Sequence, residues 1–330
     1  MSRDKSVILF VDDEENMLRG LMRMMRTKRD EWDAIFAHGG NQALSILDER
    51  DVDVVISDMH MPGMDGADLF RRIKDGYPET VRIVLSGYAE KEAILKTIGP
   101  SHQYLAKPCD QDLLIGTIQR SLKLRSLLGS SDLRRLVLDM SHVPTLPDAF
   151  NEILRELDNE YASAESFAEK VAQDVGVATY LMKLTNSAYF GLPIPAKSPI
   201  QAINFLGFEN VKATFLMGGI FDQLSPKSFA AKIATSLSRR SIKLGLLART
   251  IASSNGSNQH EQEQAYCAGL VAHIGTLLLV ANWPEKFRSA INLIYQHKVS
   301  ISEAENQVFD GNHGSVGAYL LGLWGFNDPI

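Results

Sequence analysis

The stretch Val54-Val-Ile-Ser-Asp-Met-His-Met-Pro-Gly-Met-Asp-Gly66 decides how the first half of this chain folds. Three branched apolar residues and a serine run into Asp58. Met61-Pro62-Gly63 then turns the chain, and Met64-Asp65-Gly66 opens a helical pattern. A short apolar run bounded by turn residues reads as a buried strand. Asp58 therefore stands at the carboxyl end of a strand. In open α/β sheets the crevice outside the carboxyl ends of the strands is where ligands bind. Asp58 is the first candidate for chemistry.

Working outward, the same grammar repeats. Val7-Ile-Leu-Phe-Val11 is a continuous apolar run, as suits a parallel strand covered on both faces, and it ends in Asp12-Asp13. Leu18, Leu21, Met22 and Met25 follow at helical spacing. Further strands are expected over 34–37, 52–57, 81–85 and 103–106, and helices over 41–48, 65–74, 90–98 and from Asp110 towards Leu124. The fourth strand runs into Ser86-Gly87 and the fifth into Lys107-Pro108. Strands alternating with helices imply a doubly wound parallel sheet.

Asp12, Asp13, Asp58, Ser86 and Lys107 should then converge on one edge of that sheet. Singly, each has an ordinary structural use; Asp-Asp ahead of a helix, for example, is a good cap. Jointly they suggest a site. Three clustered carboxylates call for a counter-charge, and a hard divalent ion such as Mg²⁺ fits oxygen donors. A lysine and a hydroxyl beside an exposed carboxylate suit phosphoryl transfer onto that carboxylate. Asp58 is the expected nucleophile, with Asp13 holding the ion directly and Asp12 through water. Lys107 pairs with phosphoryl oxygens, and Ser86 donates to one.

Residues 5–125 resemble the receiver domain of two-component response regulators. Asp12-Asp13, the Asp58-x-x-Met-Pro-x-Met-Asp-Gly66 run, Ser86-Gly87 and Lys107-Pro108 carry the resemblance. It implies a flavodoxin-like (βα)5 sheet in the order 2-1-3-4-5 and phosphorylation of Asp58 by a sensor histidine kinase. It further implies that the backbone carbonyl of His60 completes the ion's ligands, that the Lys107–Pro108 bond is cis, and that Tyr104 is the switch aromatic. Phosphorylation adds about -1.5 to -2 charge at Asp58. Ser86 is expected to move towards it and Tyr104 to turn into the space left, reshaping the face around the fifth strand.

Residues 126–139 read as a helical linker broken at Gly129-Ser130-Ser131. From His142 the strand signals fade. Helical patterns run over 163–174, 176–184, 200–206, 210–224, 229–254, 263–282, 285–297, 301–309 and 314–324, so an all-α domain is expected over 140–330. This half resembles the HDOD domain, a relative of the metal-dependent HD phosphohydrolases. The residues that carry it are Pro144-Thr-Leu-Pro147, Asn186-Ser-Ala-Tyr-Phe-Gly191, Ile200-Gln-Ala-Ile203 with Leu206-Gly207, Ala268-Gly-Leu270 with Ile274-Gly275, and His313 with Val316-Gly-Ala318 and Trp324. An active HD enzyme needs histidines and aspartates at set places. Here those places read Arg240, Ala272-His273 and Thr276, and arginine's fixed charge opposes a cation. The expectation is a domain that binds rather than catalyses, with His273 packed between helices and His313 at the surface or in a cap. The alternatives are a residual metal-dependent phosphohydrolase or cyclic-dinucleotide phosphodiesterase, and a scaffold insensitive to phosphorylation. The family's domain usually continues past the position of Ile330, so a core face left open there is also expected.

Composition narrows the class. Of 330 residues, 45% are hydrophobic and 22% charged, as in ordinary soluble protein. Net charge is -6, with 18 Lys+Arg against 21 Asp+Glu in residues 1–125 and 16 against 19 in the rest. Neither half is basic, which disfavours nucleic acid as partner. No membrane span or signal-peptide core is read in the sequence. Cys109 and Cys267 lie far apart, as expected of a reduced, cytoplasmic setting. The expected partners are the histidine kinase, an output protein the sequence does not name, and a second copy of the chain.

Overall fold

The computed structural model describes residues 5–87, 101–125, 127–139, 143–157, 159, 161–186, 196–208, 211, 221–225 and 227–326. The helix expected over 90–98 and most of the motif at 186–191 lie outside them.

The first half alternates β1 (Ser6–Val11), α1 (Glu15–Met25), β2 (Trp32–Ala37), α2 (Gly40–Glu49), β3 (Val54–Asp58), α3 (Gly66–Gly76), β4 (Val81–Gly87), β5 (Gln103–Lys107) and α4 (Gln111–Arg125). The five strands are parallel in the order β2-β1-β3-β4-β5, the flavodoxin-like arrangement. Successive side chains on a strand point to opposite faces. Accordingly Val7, Leu9, Val11 and Val55 join a core under α2 and α3. Ile8, Phe10, Val54 and Ile56 join a core under α1 and α4. In α1 the buried stripe is Leu18, Leu21 and Met25, while Met22, expected on it, is 46% exposed. Met22 lies about a hundred degrees around the helix from Leu21, which takes it past the edge of the stripe.

The opening stretch folds as its residue types require. Gly63 takes φ +82°, a left-handed value that glycine adopts without steric cost. Gly66 must lack a Cβ, since one built there would lie 2.3 Å from the Asp58 carbonyl oxygen. Asp65 caps α3 by accepting the Asp68 N–H.

The linker helix α5 (Ser131–Asp139) packs rather than spans, burying Leu133, Val137 and Leu138. Beyond it come β6 (Val143–Thr145), α6 (Pro147–Leu157), α7 (Ala164–Val171), α8 (Val175–Asn186), α9 (Pro199–Leu206), β7 (Phe221–Gln223), α10 (Phe229–Ser254), α11 (Gln259–Val271), α12 (Ile274–Asn282), α13 (Pro284–His297), α14 (Ile301–Phe309) and α15 (His313–Leu323). Among the described residues this region is helical apart from one short parallel ladder, β6 with β7. Of the helix expected over 210–224, residues 210 and 212–220 lie outside the described residues, and Phe221–Gln223 is a strand instead. Three-residue strands, one holding a proline that cannot donate to a ladder, leave little periodic signal.

The single helix expected over 263–282 is two, broken at Ala272-His273. The break lets α12 cross α15 closely. A Cβ on Gly275 would stand 2.0 Å from the His313 carbonyl oxygen. Residues Gln259–Asn282 are long and apolar enough to cross a bilayer by composition, with mean hydropathy 1.6, but 61% of that window is buried inside the protein. Core packing accounts for it.

One core runs from the α1/α4 side of the sheet through α5 into the helical half. The β4–β5 side of the sheet and the face of α4 that carries Leu114, Thr117, Ile118 and Ser121 therefore meet protein, while Leu113 on α4 stays 49% exposed.

Candidate functional site

At the carboxyl edge of the sheet, Lys107 Nζ donates to Asp58 Oδ1 at 2.5 Å and to Asp12 Oδ2 at 2.8 Å. Three strands, β1, β3 and β5, thus deliver two carboxylates to one ammonium. The Asp12 and Asp58 side chains are 2% and 10% exposed and that of Lys107 18%. Asp58 Oδ2 accepts the His60 N–H at 3.0 Å, and Asp12 Oδ1 accepts the Glu14 N–H at 2.9 Å. Burial raises the Asp58 carboxyl above the usual range and outweighs Lys107, while the Asp12 charge adds to the rise. Burial pulls Lys107 down, but its two carboxylate partners prevail and its value is raised. Lysine stays charged, and the pocket holds an ion triplet short of one positive charge.

Asp13 is exposed beside this triplet. Ser86 is 1% exposed, one residue past Leu85, which registers with Asp58 across β3–β4. The Lys107–Pro108 peptide is cis. Tyr104 is 4% exposed and its hydroxyl lies 2.5 Å from Ser101 Oγ. Among the described residues no three or more His, Cys, Asp or Glu side chains gather as a metal site. Mg²⁺ usually takes only one or two carboxylates and keeps several waters. The Asp12–Asp58 pair, with Asp13 alongside and negative charge in excess, fits that requirement by donor chemistry.

The helical half places its titratable groups differently. His273 forms the N-cap of α12, with Nδ1 3.0 Å from Ser241 Oγ. Burial, and then the charges of Arg240 and His313, hold its imidazole below the ordinary value. His313 opens α15 and bonds Glu305 twice, through its N–H at 2.9 Å and Nδ1 at 2.5 Å. That side-chain bond raises His313 despite its burial. Glu305 is fully buried, and its Oε1 has no partner. Ala272 is exposed and Thr276 buried. Asp174, pushed up to about 6 by burial, accepts the Leu146 and Val177 N–H groups and ties β6 to the start of α8.

The sequence reading missed a third cluster, where the halves meet. Arg82, 1% exposed, donates through Nη2 to the Leu138 carbonyl at 2.5 Å and meets His102 Nε2 at 3.0 Å. Lys183 of α8 reaches the Ser101 carbonyl at 3.5 Å and lies 4.7 Å over the Trp324 ring. Burial, then Arg82, pulls Lys183 down to about 7. Gln103 Nε2 donates to the Gly322 carbonyl at 3.1 Å, and Leu124 fills the space a Cβ on Gly322 would need. The available signal was Arg82 itself. An arginine inside an apolar central strand is buried only when something pairs with it.

Comparison with known proteins agrees with this division. Residues 143–330 match the HDOD domain model, and residues 8–119 match the response regulator receiver domain. The hydrogenase transcriptional regulatory protein HoxA of Cupriavidus necator is 32% identical over 142 residues, 42% of this chain and 28% of that protein. The transcriptional regulatory protein GlrR of Escherichia coli is 32% identical over 124 residues, 37% of this chain and 28% of that protein. The chain thus spans about a quarter of the length of the curated relatives it first matches. Among solved structures, the signal receiver domain of an HD domain-containing protein from Pseudomonas fluorescens is similar at 35% identity. It covers 38% of this chain and 93% of that one, with a TM-score of 0.36. The MmoQ response regulator from Methylococcus capsulatus is 22% identical over 56% of this chain and 72% of its own, with a TM-score of 0.47. Since the HDOD match takes in more than half of the residues and a receiver match precedes it, the chain belongs to the HDOD-domain family and is a response regulator with an N-terminal receiver domain.

Proposed function

We propose that Asp58 accepts a phosphoryl group from a histidine kinase and that the resulting charge resets the contact between receiver and helical half. The observation that carries this reading is the single Lys107 ammonium held between Asp58 and Asp12. Oδ1 of Asp58 attacks phosphorus, the bond from phosphorus to the donor nitrogen breaks, and an acyl phosphate forms. Lys107 passes from the carboxylate to a phosphoryl oxygen and keeps its charge paired throughout. The His60 N–H holds the other carboxylate oxygen in place. Asp12, Asp13, Asp58 and the His60 carbonyl would hold Mg²⁺, which would supply neutralisation of the incoming charge.

Ser86 donates to the phosphoryl group from the adjacent strand end. Its movement is felt at Tyr104, whose hydroxyl sits on Ser101, and the Ser101 carbonyl in turn accepts Lys183. The Tyr104–Ser101–Lys183 series would carry such a signal on to α8 and Trp324. The output is protein contact rather than catalysis. His273 is engaged by Ser241 and His313 by Glu305, and Arg240 stands where a metal site needs an imidazole. A sensor kinase as phosphodonor, a separate output protein as target and a cytoplasmic location belong to the same reading. The domain limits accord with it too: receiver to 125, helical linker 126–139, output from 140.

The test is labelling with radioactive acetyl phosphate and Mg²⁺. Wild type takes up label and Asp58→Asn takes up none; label retained by Asp58→Asn removes Asp58 from the role. For the output half, hydrolysis of a cyclic dinucleotide with stoichiometric transition metal bound would overturn the non-catalytic assignment.

A further inference from the structure

The seam between the halves closes on the receiver beside Tyr104. The Leu138 carbonyl, in the last turn of α5, accepts Arg82 Nη2 at 2.5 Å and lies 2.9 Å from His102 Nε2. A guanidinium at a helix carboxyl end is favourable, because the carbonyls there carry partial negative charge. Lys183 of α8 reaches the Ser101 carbonyl at 3.5 Å, and Gln103 donates to the Gly322 carbonyl of α15 at 3.1 Å. Leu124, in the last turn of α4, fills the space beside Gly322.

Ser101 is the shared member. It is buried, its hydroxyl donates to the Tyr104 hydroxyl, and its carbonyl takes Lys183. Lys183 is fixed in turn over the Trp324 ring. For Tyr104 to turn away it must give up a bond to a residue that the helical half holds in place.

The same seam holds a defect. Tyr319 of α15 is fully buried, and its hydroxyl has no hydrogen-bond partner among the described residues. Burial pushes this hydroxyl up, against the charges of Arg125, Arg134 and Arg82, so it sits on the receiver side of α15. A buried hydroxyl left unpaired counts against the closed arrangement, and opening the seam to water relieves it. The seam is thus closed enough to hold Tyr104 and costly enough to be released. Packed interfaces move between discrete arrangements rather than yielding by degrees.

We propose that the helical half is a built-in restraint on the receiver: closed against β4, β5 and α4, it holds Tyr104 on Ser101 and lowers the pocket's affinity for a phosphoryl group. The proposal rests on Asp58 as phosphoacceptor and adds the converse direction, from output half to pocket. Coupling between two sites is reciprocal in binding free energy. If a phosphoryl group at Asp58 favours the open seam, closure of the seam disfavours that group by the same factor.

Titration calorimetry of the full chain with beryllofluoride and Mg²⁺, beside hydrogen–deuterium exchange over residues 101–107, tests it. Gly322 meets the amino end of β5 and the last turn of α4, at the opposite edge of the sheet from Asp58. Gly322→Leu should drive α15 off α4, since a Cβ there would stand 2.3 Å from Leu124 Cδ1. Exchange over 101–107 should quicken, and beryllofluoride should bind at least about fivefold tighter, the low end of coupling between two sites. Tyr319→Phe removes only the unpaired hydroxyl, so exchange should slow and binding weaken by about the same factor. On the Gly322→Leu background Tyr319→Phe should have no effect. Unchanged or weaker binding in Gly322→Leu overturns the proposal, and so does unchanged or tighter binding in Tyr319→Phe. Should Gly322→Leu lose its circular dichroism spectrum, Tyr319→Phe decides alone. Beryllofluoride bound equally by Asp58→Asn would fail the phosphoacceptor reading. Binding lost in Asp58→Asn, yet equal in wild type and both seam variants, fails only the restraint.

Discussion

The two halves of this chain draw on the same kinds of charged side chain and arrange them in opposite ways. In the receiver, Asp12, Asp58 and Lys107 come from three different strand ends to a common point. Each is held by the backbone at its base, so the reactive ends converge on one another. In the helical half, His273, His313, Glu305 and Asp174 are consumed locally, in caps and in contacts between neighbouring helices. The difference is one of topology. A parallel sheet brings every strand's carboxyl end to a single edge, whereas crossing helices present their ends in many directions. Titratable groups make a site when they share a partner, and that sharing separates the halves more clearly than their composition does.

The sharpest way to break this comparison is to exchange roles between the halves. Asp58→Asn should abolish phosphoryl labelling entirely, while His273→Ala and His313→Ala should leave it at the wild-type level. Labelling that fell with either histidine would join the two halves into one site. Next in size is the junction. Arg82→Ala strips partners from His102 and the Leu138 carbonyl, and losing one member of a buried charged cluster costs about 3–5 kcal/mol. Urea denaturation followed by tryptophan fluorescence measures it; a loss under about 1 kcal/mol would show that the halves are only loosely joined.

Smaller effects probe packing. Gly275→Ala should destabilise the helical half by about 1–3 kcal/mol, because the new methyl meets the His313 carbonyl backbone. Gly20→Ala in α1, with nothing within 4 Å of the new methyl, should instead stabilise by about 0.5–1 kcal/mol. Thermal unfolding of the two variants side by side gives the contrast.

An effect of similar size is in pH. Lys183 sits at about 7 in the folded chain and at about 10.4 when unfolded. Between those values the unfolded chain binds more protons, so stability rises with pH, by on the order of 1 kcal/mol from pH 7 to 8. Below about 7 both states are protonated and the dependence vanishes. Asp174 acts in the other direction at lower pH. Its folded value of about 6 exceeds the unfolded one, so stability falls as pH rises towards 6. Lys183→Met should flatten the upper slope and leave the lower one unchanged.

Much of the candidate site was legible because each member ends an apolar run. Val7 to Val11 points to Asp12, Val54 to Ser57 points to Asp58, and the fourth and fifth runs point to Ser86 and Lys107. Strand direction then carries them to one edge. The α10 limits, 229–254, were legible for a related reason, since Ser228 caps one end and Asn255-Gly256 stops the other. The β6–β7 ladder was not legible. Three residues are too few for a period, and the partners lie far apart in sequence. The break at Ala272-His273 was hidden too, because neither residue interrupts a helical pattern.

By itself the sequence determined the alternation of strand and helix in the receiver, the register of its chemical groups at the strand ends, and the helical character of the second half. Those properties depend on local periodicity and on residues that punctuate it. The tertiary structure alone decided that Arg82, His102 and Lys183 meet, that Glu305 and His313 pair, and that Leu247 lies open while Leu278 is sealed. Each of these depends on which faces of distant elements come together, and burial is a property of the neighbours a side chain acquires, not of the side chain.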